Sequence, residues 1–167
     1  MIYSILKSRK YLKLFITAFV VILLDQITKA VVCETIPLHH SIPVIDGFFD
    51  FVHVRNPGGA FGFLADQSLY VRRFFFLFLS CFAVFLILLF YKKTPKANYL
   101  ITTGLALILG GAVGNLIDRF RFGWVTDFLD FYIGNLHWPA FNVADSAISV
   151  GLILFIIHTL FCEKPGS

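Results

Sequence analysis

The run FFFLFLSCFAVFLILLFY, from Phe74 to Tyr91, holds eighteen residues without a charge. A helix that is apolar on every face is either buried in a large core or placed in lipid. At about 1.5 Å per residue it covers most of the roughly 30 Å hydrocarbon core of a bilayer. Spanning backbone must satisfy its own polar groups, so the run predicts a transmembrane α-helix. Three more apolar runs, 14–32, 100–117 and 140–161, have comparable length. The chain has 167 residues, of which 58% are hydrophobic and 14% charged, with 21 phenylalanines. A soluble domain averages roughly 45–50% and about 25%. The expectation is a mainly α integral membrane protein: a single membrane domain over 1–167, built as a four-transmembrane-helix bundle.

The N-terminal run follows MIYSILKSRKYLK, and no A-x-A cleavage site succeeds it, so it reads as a retained span and not a signal peptide. Cys33, Cys81 and Cys162 are far apart, with neither metal-ligand nor disulfide spacing. They read as free, apolar-facing thiols. His39, His40, His53 and His137 likewise lack ligand spacing and read as loop surface residues.

Charge sets the orientation. The N-terminal segment, Lys92, Lys93, Lys96 and Lys164 hold eight of the fourteen basic residues, against one acid, Glu163. By the positive-inside rule both termini and the 92–98 turn are cytoplasmic. The loops 33–73 and 118–139 then face outward. In the first, FFDFVHVRN suits a short half-buried strand that Pro57 breaks, with Gly58, Gly59 and Gly62 beyond it as candidate hinges. In the second, VTDFLDFYI could join the same small extracytoplasmic β-sheet, while Trp124, Phe128, Phe131, Tyr132 and Trp138 suit an interfacial belt.

Polar residues recur where spans meet these loops. Asn142, Asp145, Ser146 and Ser149 fall at i, i+3, i+4 and i+7, one stripe expected to face the bundle interior. Asn115 and Asp118 lie three apart near the outer end of the third span, beyond a GxxxG of Gly110 and Gly114 that permits close helix approach. Asp25 and Lys29, four apart on the first span, can neutralise one another. Carboxylates at such depth are costly, hence paired or functional. Structural readings stand beside the functional ones. Asp145 could be the acid of a capping box with Asn142 as cap, Asp118 could pair with Arg119, and Asp127 could be an ordinary loop acid. Residue chemistry leaves structure and function even for Asp127 and Asp145, and does not rank Asp118 against Asp127.

Five ordered blocks, DQITK at 25–29, NPGGAFGFLAD at 56–66, GGAVGNLIDR at 110–119, VTDF at 125–128 and FNVADSAISVG at 141–151, resemble the signature blocks of the lipoprotein signal peptidases, the type II signal peptidases of bacteria. Pro57 and Gly59 depart from that pattern, which often has threonine and alanine there. The resemblance implies an aspartic intramembrane endopeptidase of the cytoplasmic (inner) membrane that acts near the outer face. It would cut the signal peptide from diacylglyceryl-modified prolipoproteins, just before the lipidated cysteine. It puts the catalytic pair on Asp127 and Asp145. Asn56, Gly58, Asn115, Asp118, Arg119, Asn142, Asp25 and Lys29 fall on substrate-binding or supporting positions.

Two nearby carboxyls that share a proton can act as general base and general acid without a metal or other cofactor. The expected partners are the prolipoprotein substrate and membrane lipids, with peptide-like inhibitors of the family occupying the dyad. The chain is expected to be a monomer with no nucleic-acid partner. Two other functions remain open from the residues alone: a small proton or ion conductor using the intramembrane acids, and a non-catalytic membrane assembly factor.

Overall fold

The computed structural model describes residues 2–58 and 67–161. Glu163, Lys164 and Cys162, and the hinge candidates Gly59 and Gly62, lie outside the described residues. Four helices, α1 (Ile2–Thr35), α2 (Leu69–Lys93), α3 (Tyr99–Arg121) and α4 (Val143–Phe161), are each long and apolar enough to cross a membrane. Strands β1 (Ser41–Ile45) and β2 (Phe49–Asn56) precede α2, and β3 (Val125–Ile133) and β4 (Leu136–His137) lie between α3 and α4.

Helix ends are set by local chemistry. Ser68 caps α2 by accepting the Val71 N–H, so 69–73 are helical and not loop as expected. The fourth helix starts at Val143 and not at Ala140, for two reasons. Phe141 is held in extended backbone, exchanging hydrogen bonds with Leu129 of β3, and Asn142 caps the helix through its Oδ1, 2.9 Å from the Asp145 N–H. Ala144, one position earlier, gives its N–H to Asp25 Oδ1 of α1 at 3.0 Å. Two of the N–H groups that open a helix without partners are thereby satisfied by side chains, one of them from another span.

α3 is the central helix, packed against α1, α2 and α4. Its glycines permit the approach. A Cβ on Gly110 would stand 2.7 Å from Val21 Cβ, and one on Gly114 would stand 2.7 Å from Asp25 Oδ2. At the α3–α4 crossing Gly104 and Gly151 face one another backbone to backbone, each within 2.7 Å of where the other's Cβ would stand. The packed face of α4 is therefore Ala144, Ala147, Gly151 and His158. The Asn142–Ser149 stripe is offset from it. Asn142 is buried, Asp145 and Ser146 are half-buried, and Ser149 is exposed, contrary to expectation.

The four strands form an antiparallel sheet in the order β1-β2-β3-β4, so VTDFLDFYI does pair with FFDFVHVRN. A register shift between Phe51 and Val54 of β2 brings Val54 opposite Asp127 and Asn56 opposite Val125. One extra residue on β2 is a bulge, which bends a strand and re-aims side chains. Two expectations for the loops fail here. Phe128 is buried with Val32 and Ile36 beneath the sheet and is not part of a surface belt. His53 is also buried, because its ring reaches back to the end of α1, with Nδ1 2.8 Å from the Ile36 carbonyl.

Candidate active site

Nine of the ten polar and glycine positions singled out by sequence form one hydrogen-bonded network at the sheet-covered end of the bundle, and the tenth, Arg119, lies beside it on a cavity wall. The network's charged centre is Lys29 of α1, buried, with Nζ 2.9 Å from Asp25 Oδ2, 2.9 Å from Asp118 Oδ2 and 2.9 Å from Asn115 Oδ1. Asp118 does not pair with Arg119. Its oxygens are taken by Lys29, by Gln26 Nε2 at 2.9 Å and by the Thr126 N–H at 3.2 Å. Asp25 holds both Lys29 and the start of α4. A buried ammonium needs such company, since an unpaired charge in the interior costs several kcal/mol.

From Lys29 the network leads to the two remaining acids. An ammonium only donates, so Asn115 must turn its oxygen toward Lys29 and its Nδ2 away. That Nδ2 donates to Asp145 Oδ1 at 2.8 Å. Asn142 uses both ends: its Oδ1 takes the Asp145 N–H, and its Nδ2 donates to Asp127 Oδ1 at 2.7 Å. Asn56, at the end of β2, donates to the other oxygen of Asp127 at 3.0 Å and accepts the Gly58 N–H at 2.9 Å. The capping-box reading of Asp145 therefore holds: Asn142 is the cap, and its backbone N–H in turn serves the Asp145 carboxyl. That carboxyl also takes a bond from Asn115 of a neighbouring helix.

Burial pushes the Asp127 carboxyl up to about 6, from an ordinary value of 3.8. The Asn56 hydrogen bond opposes the shift, the Asp145 charge adds to it, and the Asn142 bond and the Lys29 charge pull it back. Asp127 sits on a strand after a tight turn at Gly123, whose φ of +86° suits glycine. Asp145 sits in the first turn of a helix. Two differently anchored elements thus deliver one carboxyl each.

Beside them lies a cavity of about 310 Å³ between α2, α3 and α4, with Asp145, Asn115, Arg119, Ser80, Phe76 and Gly58 on its walls. Arg119 donates Nη1 to Ser80 Oγ at 3.2 Å, while its buried Nε has no partner among the described residues. A Cβ on Gly58, where φ is +104°, would overlap the Phe76 ring at 2.5 Å. Sequence reasoning passed over Gln26, Ser80 and Thr126. Gln26 was visible as a polar residue beside Asp25 in an apolar run, whereas Thr126 acts through its backbone and had no side-chain signal.

Four helices long and apolar enough to cross a membrane, with carboxyls buried where they meet the sheet, describe a multi-pass membrane protein, and comparison with known proteins gives its class as a protease. The chain matches the family Peptidase_A8, signal peptidase (SPase) II, over residues 17–161. It belongs to that family. It is 53% identical over 160 residues to the lipoprotein signal peptidase of Desulforapulum autotrophicum, covering 96% of this chain and 99% of the relative. It is 50% identical over 160 residues to that of Syntrophus aciditrophicus, covering 95% and 99%. A solved structure described as a bacterial membrane enzyme obtained by the in meso method superposes with a TM-score of 0.79 at 31% identity, covering 92% of this chain and 93% of that one.

Proposed function

We propose that this chain removes signal peptides from diacylglyceryl-modified prolipoproteins as an aspartic-type endopeptidase, with Asp127 and Asp145 as its catalytic carboxyls. The observation that carries the assignment is the way the four acids of the network are partnered. Asp25 and Asp118 are consumed by Lys29 and by backbone N–H groups. Asp127 and Asp145 have no ion-pair partner among the described residues and are held by neutral donors, the amides of Asn56, Asn142 and Asn115 and, at Asp145, the Asn142 backbone N–H. Amides orient a carboxyl without fixing its charge, which leaves these two free to exchange protons during a reaction.

The chemistry balances without a cofactor. The ionised carboxyl takes a proton from water, whose oxygen attacks the scissile carbonyl carbon. The protonated carboxyl gives its proton to the carbonyl oxygen. Collapse of the tetrahedral intermediate breaks the C–N bond: the proton taken from water passes to the departing amine, and a hydroxyl of the intermediate returns its proton to the other carboxyl as the carbonyl reforms. The pair titrates as a unit, so neither role is fixed to one residue. Arg119, with a donor to spare at the cavity wall, is suited to hold a substrate carbonyl in register. Peptide-like inhibitors of the family would lie against the same carboxyls.

The bundle lies in the inner membrane with both termini cytoplasmic, and the sheet holds the site near the outer face, where a lipidated cysteine resides. The protein acts as a monomer. The test is a pair of synthetic prolipoproteins that differ only in the diacylglyceryl group. The lipidated one is cut immediately before its cysteine and the bare one is not. Equal cleavage of both, or a cut elsewhere, contradicts the assignment. Full activity in the presence of a chelator is also expected; its loss contradicts a carboxyl pair that works without metal.

A further inference from the structure

Cys33 and His53 form a cluster for which the peptidase reaction has no use. His53 is 5% exposed. Its Nδ1 lies 2.8 Å from the Ile36 carbonyl oxygen, which can only accept, so in the neutral ring the proton sits on Nδ1. Nε2 is then a bare lone pair, and it faces Cys33 Sγ at 3.6 Å. Nucleophile, base and a third group orienting the base is the arrangement of an activated thiol. Cys33 is free and exposed near the outer end of α1. It opens on a cleft of about 190 Å³ that Lys29, Glu34, Asp118, Arg121 and Thr126 also line. Lys29 is engaged by Asp25 and Asp118, which leaves the Arg121 cation and the Glu34 carboxylate as the other charges at the cleft.

We propose that Cys33 is a nucleophilic thiol activated by His53, a modification site for small carbon electrophiles whose adduct silences the peptidase. With a maleimide, the thiol proton moves to His53 Nε2 and sulfur attacks one alkene carbon. The S–C bond forms, the C=C π bond breaks, and the neighbouring carbon takes the proton from the imidazolium. Nothing is oxidised and no group leaves. The adduct fills the cleft against Thr126, whose Oγ1 is 3.8 Å from Sγ. Thr126 precedes Asp127, gives its N–H to Asp118 and accepts Asn142 Nδ2 on its carbonyl at 3.3 Å. Displacing it moves the backbone that carries Asp127 and the amide that orients it.

The full-length protein in detergent is treated with N-ethylmaleimide at neutral pH, and adducts are located by mass spectrometry while peptidase activity is followed. Cys33 is expected to react at least about ten times faster than glutathione under the same conditions. Activity is expected to fall in step with the Cys33 adduct. Cys33→Ser is expected to stay active and resistant to the reagent, and His53→Asn to slow the labelling. Cys33 labelling no faster than glutathione overturns the activation, a comparison that needs no variant and stands even if His53→Asn does not fold. A fully modified, fully active enzyme overturns the coupling. Equal inactivation of Cys33→Ser does the same, since another cysteine is then responsible.

Discussion

Lys29 points its ammonium at Asn115 Oδ1 from 2.9 Å, and this contact decides which end of the amide faces Asp145. A cation that touches neither proposed catalytic carboxyl thereby orients one of them through an intermediary. It also neutralises a buried pair, Asp25 and Asp118, that would otherwise repel.

Removing that charge should unfold the protein more readily. Lys29→Met leaves two buried carboxylates without a counter-ion, and breaking one member out of a buried ion pair costs about 3–5 kcal/mol. Thermal unfolding in detergent measures the loss. Neutralising the acids as well, in Lys29→Met with Asp25→Asn and Asp118→Asn, should recover part of it. A single variant as stable as the parent contradicts the assignment of Lys29 as the charge centre.

The pH profile should carry the signature of Asp127. Its carboxyl is raised to about 6, so acidification through that value adds a proton and alkalinisation removes it. The alkaline limb of kcat/KM reports loss of the last proton shared by the pair, because two carboxylates offer no general acid. Asn56 stabilises the ionised form through its hydrogen bond. Asn56→Ala should therefore move the alkaline limb to higher pH. A limb that stays in place or moves down contradicts the contribution of Asn56.

Packing between α3 and α4 should be intolerant at a position remote from the carboxyls. A Cβ on Gly151 would lie 2.6 Å from the Gly104 carbonyl oxygen and 2.6 Å from Ile108 Cγ1. The first of these is backbone and cannot rotate away. Gly151→Ala is expected to cost about 1–3 kcal/mol, the usual range for overpacking. Activity per folded molecule should be retained. An unchanged unfolding midpoint indicates that the helices cross less closely.

The four spans were legible because a helix in lipid must be apolar along its whole length, and runs such as Phe74–Tyr91 have no other use. The sheet was legible from β-branched and aromatic alternation around Val52 and Val125. What escaped depended on partners distant in sequence. His53 looked like a loop residue because nothing local predicts that the Ile36 carbonyl waits for its ring. Asp118 looked equal to Asp127 because its three donors come from α1 and from the backbone of β3. Ser149 was placed inward by its seven-residue spacing, yet α4 packs on the adjacent face, through its small residues. Helical periodicity gives the angle between residues but not which angle faces a neighbour.

The central claim is that Asp127 and Asp145 act together, and single-turnover cleavage of a lipidated prolipoprotein by Asp127→Asn and by Asp145→Asn tests it most directly. Each variant should fold and bind substrate but lose about 10²–10⁴-fold in rate, the usual worth of a positioned general acid or base. The double variant should lose little more than either single one, because residues that act as a unit are not additive. If either folded single variant cleaves at the parent rate, the pair is not the catalytic centre.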